Sequence, residues 1–169
     1  MRSILIVVMT MLFSSITFAQ QKITWNKWEW LIGEWKGEGG GKPGNGSGTF
    51  SFKPDLNEKI LVRKNHSEYP ATGSKPATIH DDLMVVYPDY TGAPSKAIYF
   101  DNEGHTINYS ISYPGNYSIV MTSEKIPNVP IFRLTYTLPE KETVNTKFEM
   151  SQDGTTYTTY VEGKSKKMK

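Results

Sequence analysis

Three features of the sequence predict an all-β fold, a single antiparallel meander β-barrel of about ten strands with a short N-terminal helix. Polar and apolar side chains alternate with period two along most of the chain. Turn-forming residues break that alternation at short intervals, and after the first 19 residues helical spacing occurs in one place only.

Arg2 is followed by an apolar run from Ile4 to Phe13 and a polar stretch ending Thr17-Phe18-Ala19. That order is expected of a secretory signal peptide over residues 1–19, cleaved after Ala19. The run is about ten residues, half of what a membrane-spanning helix needs. The expectation is an exported protein, periplasmic or extracellular, with one domain over residues 20–169 and no stable membrane insertion after signal cleavage. Lys and Arg total 19, Asp and Glu 17, for a formal net charge of +2. Such near-neutrality gives no electrostatic case for nucleic acid as a partner. The chain has no cysteine, which excludes disulfides, thiolate metal ligands and cysteine nucleophiles. Stability must then come from apolar burial and sheet hydrogen bonds.

Trp25, Trp28, Leu31 and Ile32 recur at three- and four-residue spacing, which predicts one or two turns of helix with an indole-rich face. The first strand is expected over Glu34–Gly40, the next over Gly48–Lys53 and Ile60–Tyr69, then Asp82–Tyr87 and Lys96–Asp101. Ile107, Tyr109, Ile111 and Tyr113 alternate with polar neighbours across Thr106–Tyr113, as on a strand with one buried and one wet face. Tyr117–Ser123 follows. Phe132, Leu134, Tyr136 and Leu138 repeat the alternation, as do Val144, Phe148 and Met150, and Thr155–Gly163 completes the set.

Pro54-Asp55-Leu56-Asn57, Pro88 to Gly92, Asn102-Glu103-Gly104, Pro114-Gly115-Asn116 and Gln152-Asp153-Gly154 separate these strands. Gly and Asn accept the positive φ of tight hairpins, so each break reverses the chain. Ten strands in an open sheet would leave two unpaired edges, which closure into a barrel removes. Half of the 14 glycines lie between Gly37 and Gly48, and this stretch reads as a flexible loop at the barrel mouth, as does Pro70 to Pro76. It lacks the Lys-Ser/Thr ending and following helix of a phosphate-cradling loop. The tail from Lys164 to Lys169 reads as a solvated basic end.

Gly33-Glu34-Trp35, directly after the Trp-rich segment, resembles the Gly-x-Trp opening of calycin barrels, the group that contains lipocalins, fatty-acid-binding proteins and nitrobindins. Trp35-Lys36-Gly37-Glu38-Gly39 is similar to the first hairpin of nitrobindin-like and bacterial barrels of that group. The stretches Tyr99 to His105, Phe132 to Tyr136 and Thr159 to Gly163 resemble one bacterial family of unknown function within it. The resemblance, from about Trp28 to Lys164, implies a lipocalin-like barrel in which Trp35 plugs one end and a cation from the last strand, Lys164 or Lys166, lies across the indole. Nitrobindins hold haem through a histidine near the carboxy terminus. This chain has only His66, His80 and His105, so the resemblance does not carry haem with it, and no cofactor is expected.

These histidines are far apart in sequence, and no pair has ligand spacing for a metal. His80-Asp81-Asp82 reads as a solvated cluster preceding a strand, and Asp101 with Glu103 as hairpin-turn residues beside Gly104. No Gly-x-Ser-x-Gly nucleophile motif occurs. Candidate ligand-binding residues are Arg133, Tyr99, His105, Tyr109 and Tyr136. Facing inward, Arg133 would offer a planar fork of donors to an anionic head group; on the wet face of its strand it would simply be an exterior arginine. For Tyr99, His105, Tyr109 and Tyr136, core packing is the alternative role. The function expected is that of a non-enzymatic carrier or sensor barrel for a small apolar or amphipathic ligand. An isomerase or hydrolase using His105 and nearby polar groups, or an envelope interaction module, is the alternative.

Overall fold

The computed structural model describes residues 23–73 and 75–169; the expected signal peptide over residues 1–19 lies outside them. Ten strands form one closed antiparallel barrel: β1 (Gly33–Gly37), β2 (Ser47–Asp55), β3 (Ile60–Tyr69), β4 (Thr78–Pro88), β5 (Pro94–Asp101), β6 (Thr106–Gly115), β7 (Ser118–Ser123), β8 (Ile131–Glu140), β9 (Thr143–Ser151) and β10 (Thr158–Lys167). Each strand pairs with its sequence neighbours, and β1 pairs with β10 to close the wall. Closure leaves no unpaired edge to template aggregation.

The period-two pattern decides which side chains enter the barrel. Phe50 and Phe52 of β2, Leu61 and Arg63 of β3, Met84 and Val86 of β4, and Leu134 and Tyr136 of β8 are buried while their neighbours along each strand are more exposed. Phe50, Phe52 and Tyr136 meet in tilted and edge-on pairs with centroids 5.5 to 6.1 Å apart, the geometry aromatic quadrupoles favour.

One end is sealed. Trp25–Ile32 forms two successive turns rather than the expected helix: Glu29 donates to the Trp25 carbonyl and Ile32 to that of Trp28, without a continuous ladder. So short a segment gains too few hydrogen bonds to offset helix nucleation, and its indoles dock individually instead. Trp28 Nε1 donates to the Tyr113 hydroxyl at 2.8 Å, which donates on to the Pro94 carbonyl. Trp35, fully buried, stacks on Phe50 and donates from Nε1 to the Leu31 carbonyl at 2.8 Å.

The cation over the indole of Trp35 is Lys167, with Nζ 5.3 Å from the ring, in place of Lys164 or Lys166. Register gives the reason: Lys167 lies opposite Trp35 across the β1–β10 ladder, and Lys166 points outward to Thr143 and Glu140. The expected solvated tail is thus the end of β10. Gly33 has φ +130°, and a Cβ there would sit 2.9 Å from Lys167 Cε. The glycine of Gly-x-Trp gives the covering lysine its room.

The β2–β3, β6–β7 and β8–β9 turns meet this sealed end, where Trp25 Nε1 reaches the Glu58 carbonyl, Lys27 reaches Asn116, and the Lys167 amide donates to the Glu142 carbonyl. The β1–β2, β3–β4, β5–β6, β7–β8 and β9–β10 connections therefore surround the opposite end, the mouth. The glycine-rich β1–β2 loop is tethered there, as Lys42 and Glu162 exchange both backbone hydrogen bonds.

Candidate functional site

A polar network crosses from the rim of the mouth into the barrel along β3, β4, β5 and the β5–β6 turn. At its inner end Arg63 Nη1 donates to Asp82 Oδ1, with side chains 8% and 4% exposed. His80, two residues before Asp82 and on the same face of β4, places Nε2 3.5 Å from Asp82 Oδ2 and 3.0 Å from the Tyr99 hydroxyl. Its Nδ1 lies 3.1 Å from Glu103 in the turn. Tyr99 donates to Asp101 Oδ2 at 3.2 Å, and His105 Nδ1 approaches the same oxygen at 2.9 Å.

Strand phase builds this array. His80 and Asp82 continue the inward face of Met84 and Val86, Arg63 continues that of Leu61, and Tyr99 and Asp101 continue that of Ala97. Asp101 also accepts from the backbone amides of Glu103 and His105, which locks the turn. The expected turn role for Asp101 and Glu103 is present. His80-Asp81-Asp82, however, is not a solvated cluster before a strand. All three lie within β4, and Asp82 is buried against Arg63.

Electrostatics follow from these contacts. Burial would pull the Arg63 guanidinium down, but Asp82 together with Tyr136 and Tyr99 holds the group above its ordinary value. The hydrogen bond to Asp82, helped by Glu103, raises His80 to about 9 against burial. A doubly protonated ring can donate at both nitrogens, which suits its acceptor partners. Burial pushes Tyr99 and Tyr109 up, and Tyr136 to about 12, so these phenols stay neutral.

Facing this polar wall across the mouth is an aromatic one. Phe132 of β8 and Phe148 of β9 stack with centroids 5.7 Å apart, and Tyr160 of β10 meets Phe148 edge-on at 6.3 Å. Between the walls lies the floor, where Arg63 Nε, the Tyr136 hydroxyl and Thr146 Oγ1 are buried with no hydrogen-bond partner among the described residues. Thr146 lies directly opposite Tyr136 across the β8–β9 ladder.

The candidates read from the sequence separate here. Tyr99, Tyr109 and Tyr136 line the interior, and His105 sits exposed on the rim. Arg133 is out of phase with buried Leu134 and Tyr136, so it points outward. There it bonds Glu149 through Nε at 2.8 Å and lies 3.6 Å above the Tyr157 ring. The arginine inside the barrel is Arg63. Its phase was hidden because Ile60-Leu61-Val62 is apolar at every position, and Leu83 to Val86 conceals the phase of β4 in the same way. The two-residue spacing from Arg63 to Leu61 is the available signal.

A cavity of about 710 Å³ lies along β1–β5, lined mostly by outward-facing side chains, among them Thr49, Lys64, His66, Leu83, Phe100 and Met168. Asp82 and Asp101 of the polar network also contribute to its lining. His66 is held within it by Asp81 at 2.6 Å and Glu68 at 2.9 Å. Among the described residues no group of three His, Asp or Glu side chains is arranged to hold a metal ion.

The closed ten-strand barrel is an architecture compatible with binding a small ligand in its mouth. No protein-family model and no curated protein matches the chain.

Proposed function

We propose that this protein is a non-enzymatic carrier or sensor that takes a small amphipathic molecule into the barrel mouth, outside the cytoplasm. The observation that carries this reading is the set of unpartnered polar atoms on the floor. Buried polar groups are nearly always satisfied, so Arg63 Nε, Tyr136 Oη and Thr146 Oγ1 mark the place of a polar guest atom. The apolar body of the guest would lie against Phe132 and Phe148, while its polar edge faces Tyr99 and His80. The Ile4–Phe13 leader supports export. Native mass spectrometry of protein purified from its own envelope, followed by displacement of a lipophilic dye, tests the reading. A co-purifying small molecule and saturable dye uptake are expected; absence of both would end it.

An isomerase or hydrolase acting on the bound molecule is the second reading. It is favoured by the unbroken series His105, Asp101, Tyr99, His80 and Asp82, since linked titratable groups in a cleft can move protons. Chemical change of the co-purified molecule on incubation with protein, lost in His80→Ala, would favour it. An unchanged molecule would leave the carrier reading.

A further inference from the structure

We infer that the guest offers the floor of the mouth a neutral acceptor, a carbonyl or amide oxygen, and not a carboxylate. This rests on the binding reading above and specifies its ligand class.

Two of the unpartnered groups are donors. Arg63 is 6% exposed and Tyr136 fully buried, and an Arg N–H and a phenol O–H are both satisfied by an oxygen lone pair. Arg63 acts on the Tyr136 hydroxyl oxygen both as a charge and as a neighbouring donor, which leaves the phenol proton itself to be given to an acceptor. An anionic guest is the obvious partner for a buried arginine standing alone, but Arg63 does not stand alone. Asp82, 4% exposed on its side chain, already supplies one negative charge to that guanidinium.

A guest carboxylate would be a second anion on one cation in a site of low dielectric. Asp101, 4% exposed on its side chain, adds another carboxylate from the same wall. The carboxylate would lose its hydration and meet repulsion that the shared arginine cannot offset. His80 adds a second cation beside Asp82, but Glu103, 3.1 Å from its Nδ1, offsets that charge, so the carboxylates of Asp82, Asp101 and Glu103 still outnumber the cations Arg63 and His80. A carbonyl oxygen has two lone pairs, can accept from Arg63 Nε and Tyr136 Oη together, and brings no charge to desolvate. Thr146 Oγ1 can accept from an amide N–H beside it. Phe132 and Phe148 then cover the apolar part of the same molecule.

Matched probes test this: hexanamide against hexanoate, and benzamide against benzoate, titrated calorimetrically into the full chain near neutral pH. Each amide is expected to bind about tenfold or more tightly than its carboxylate, the scale set by burying an unmatched charge. Tyr136→Phe should weaken the amides about tenfold by removing one donor. Asp82→Asn should free Arg63 and reverse the preference. If Asp82→Asn does not fold, the wild-type ratio and Tyr136→Phe still decide. Carboxylates binding as tightly as amides to the wild type would overturn the inference and leave the binding reading intact. The inference also falls if neither probe binds while lipophilic dye is still taken up, or if a lone ordered water satisfies both donors in a crystal grown with saturating amide. Loss of dye uptake as well would overturn the binding reading itself.

Discussion

Arg63 of β3 and Asp82 of β4 form an ion pair within the barrel wall's inner face, Nη1 to Oδ1, with each side chain less than a tenth exposed. They sit two residues out of direct register, since Arg63 faces Met84 and Asp82 faces Asn65 across the β3–β4 ladder. The pair therefore bridges diagonally, on the side of the ladder where the interior turns from apolar to polar.

Asp82→Ala is expected to lower stability by about 3–5 kcal/mol, because it leaves a buried guanidinium uncompensated. The double variant Arg63→Met with Asp82→Leu removes both charges and should lie within about 2 kcal/mol of wild type. Urea unfolding monitored by tryptophan fluorescence measures both. A single variant as stable as the double one would show that the pair is not desolvated.

Removing the plug tests the sealed end. Trp35→Ala deletes a fully buried indole and its hydrogen bond to Leu31, and should cost about 3–5 kcal/mol. Lys167→Gln removes only the covering cation and should cost about 1 kcal/mol or less. Equal losses in thermal unfolding would mean that the indole owes its burial to the lysine.

Stability should fall as pH rises through the His80 transition. Its folded value is about 9 against an ordinary 6.5, raised first by Asp82 and then by Glu103. A raised cationic group contributes fully below the unfolded value, and that contribution fades between pH 6.5 and about 9. His80→Gln should flatten the decline in urea midpoints over that window. An undiminished slope in the variant would assign the effect to another group.

Arg133→Ala should separate stability from binding. Its partner Glu149 is 5% exposed on its side chain and keeps only Lys147, so a loss of about 1–3 kcal/mol is expected. Because Arg133 faces outward, affinity for the probe amides should change by less than about twofold, as for distant independent sites. A larger fall in calorimetric affinity would place this side chain in contact with the guest.

Much of the wall was legible in the residues. Alternation located all ten strands, and Ile60–Tyr69 was read with the bounds that β3 has. The resemblance carried by Gly33-Glu34-Trp35 pointed to Trp35 as the plug, and Trp35 is fully buried at the start of β1. The inner face of the barrel was less legible. Tyr99, Tyr109 and Tyr136 lie on alternating strands that declare their inward side, and their side chains are inside the barrel. Arg63 was missed, and His80-Asp81-Asp82 was assigned to a solvated cluster, because β3 and β4 carry apolar residues on both faces and declare none.

By itself the sequence determined an all-β chain of ten strands, since period-two patterning and turn chemistry act locally, residue by residue. Tertiary structure alone decided which arginine enters the barrel, which lysine covers Trp35 and which carboxylate meets Arg63. Those choices depend on strand phase and cross-strand register, and register is fixed only when the wall closes and every side chain must take the inner or the outer face.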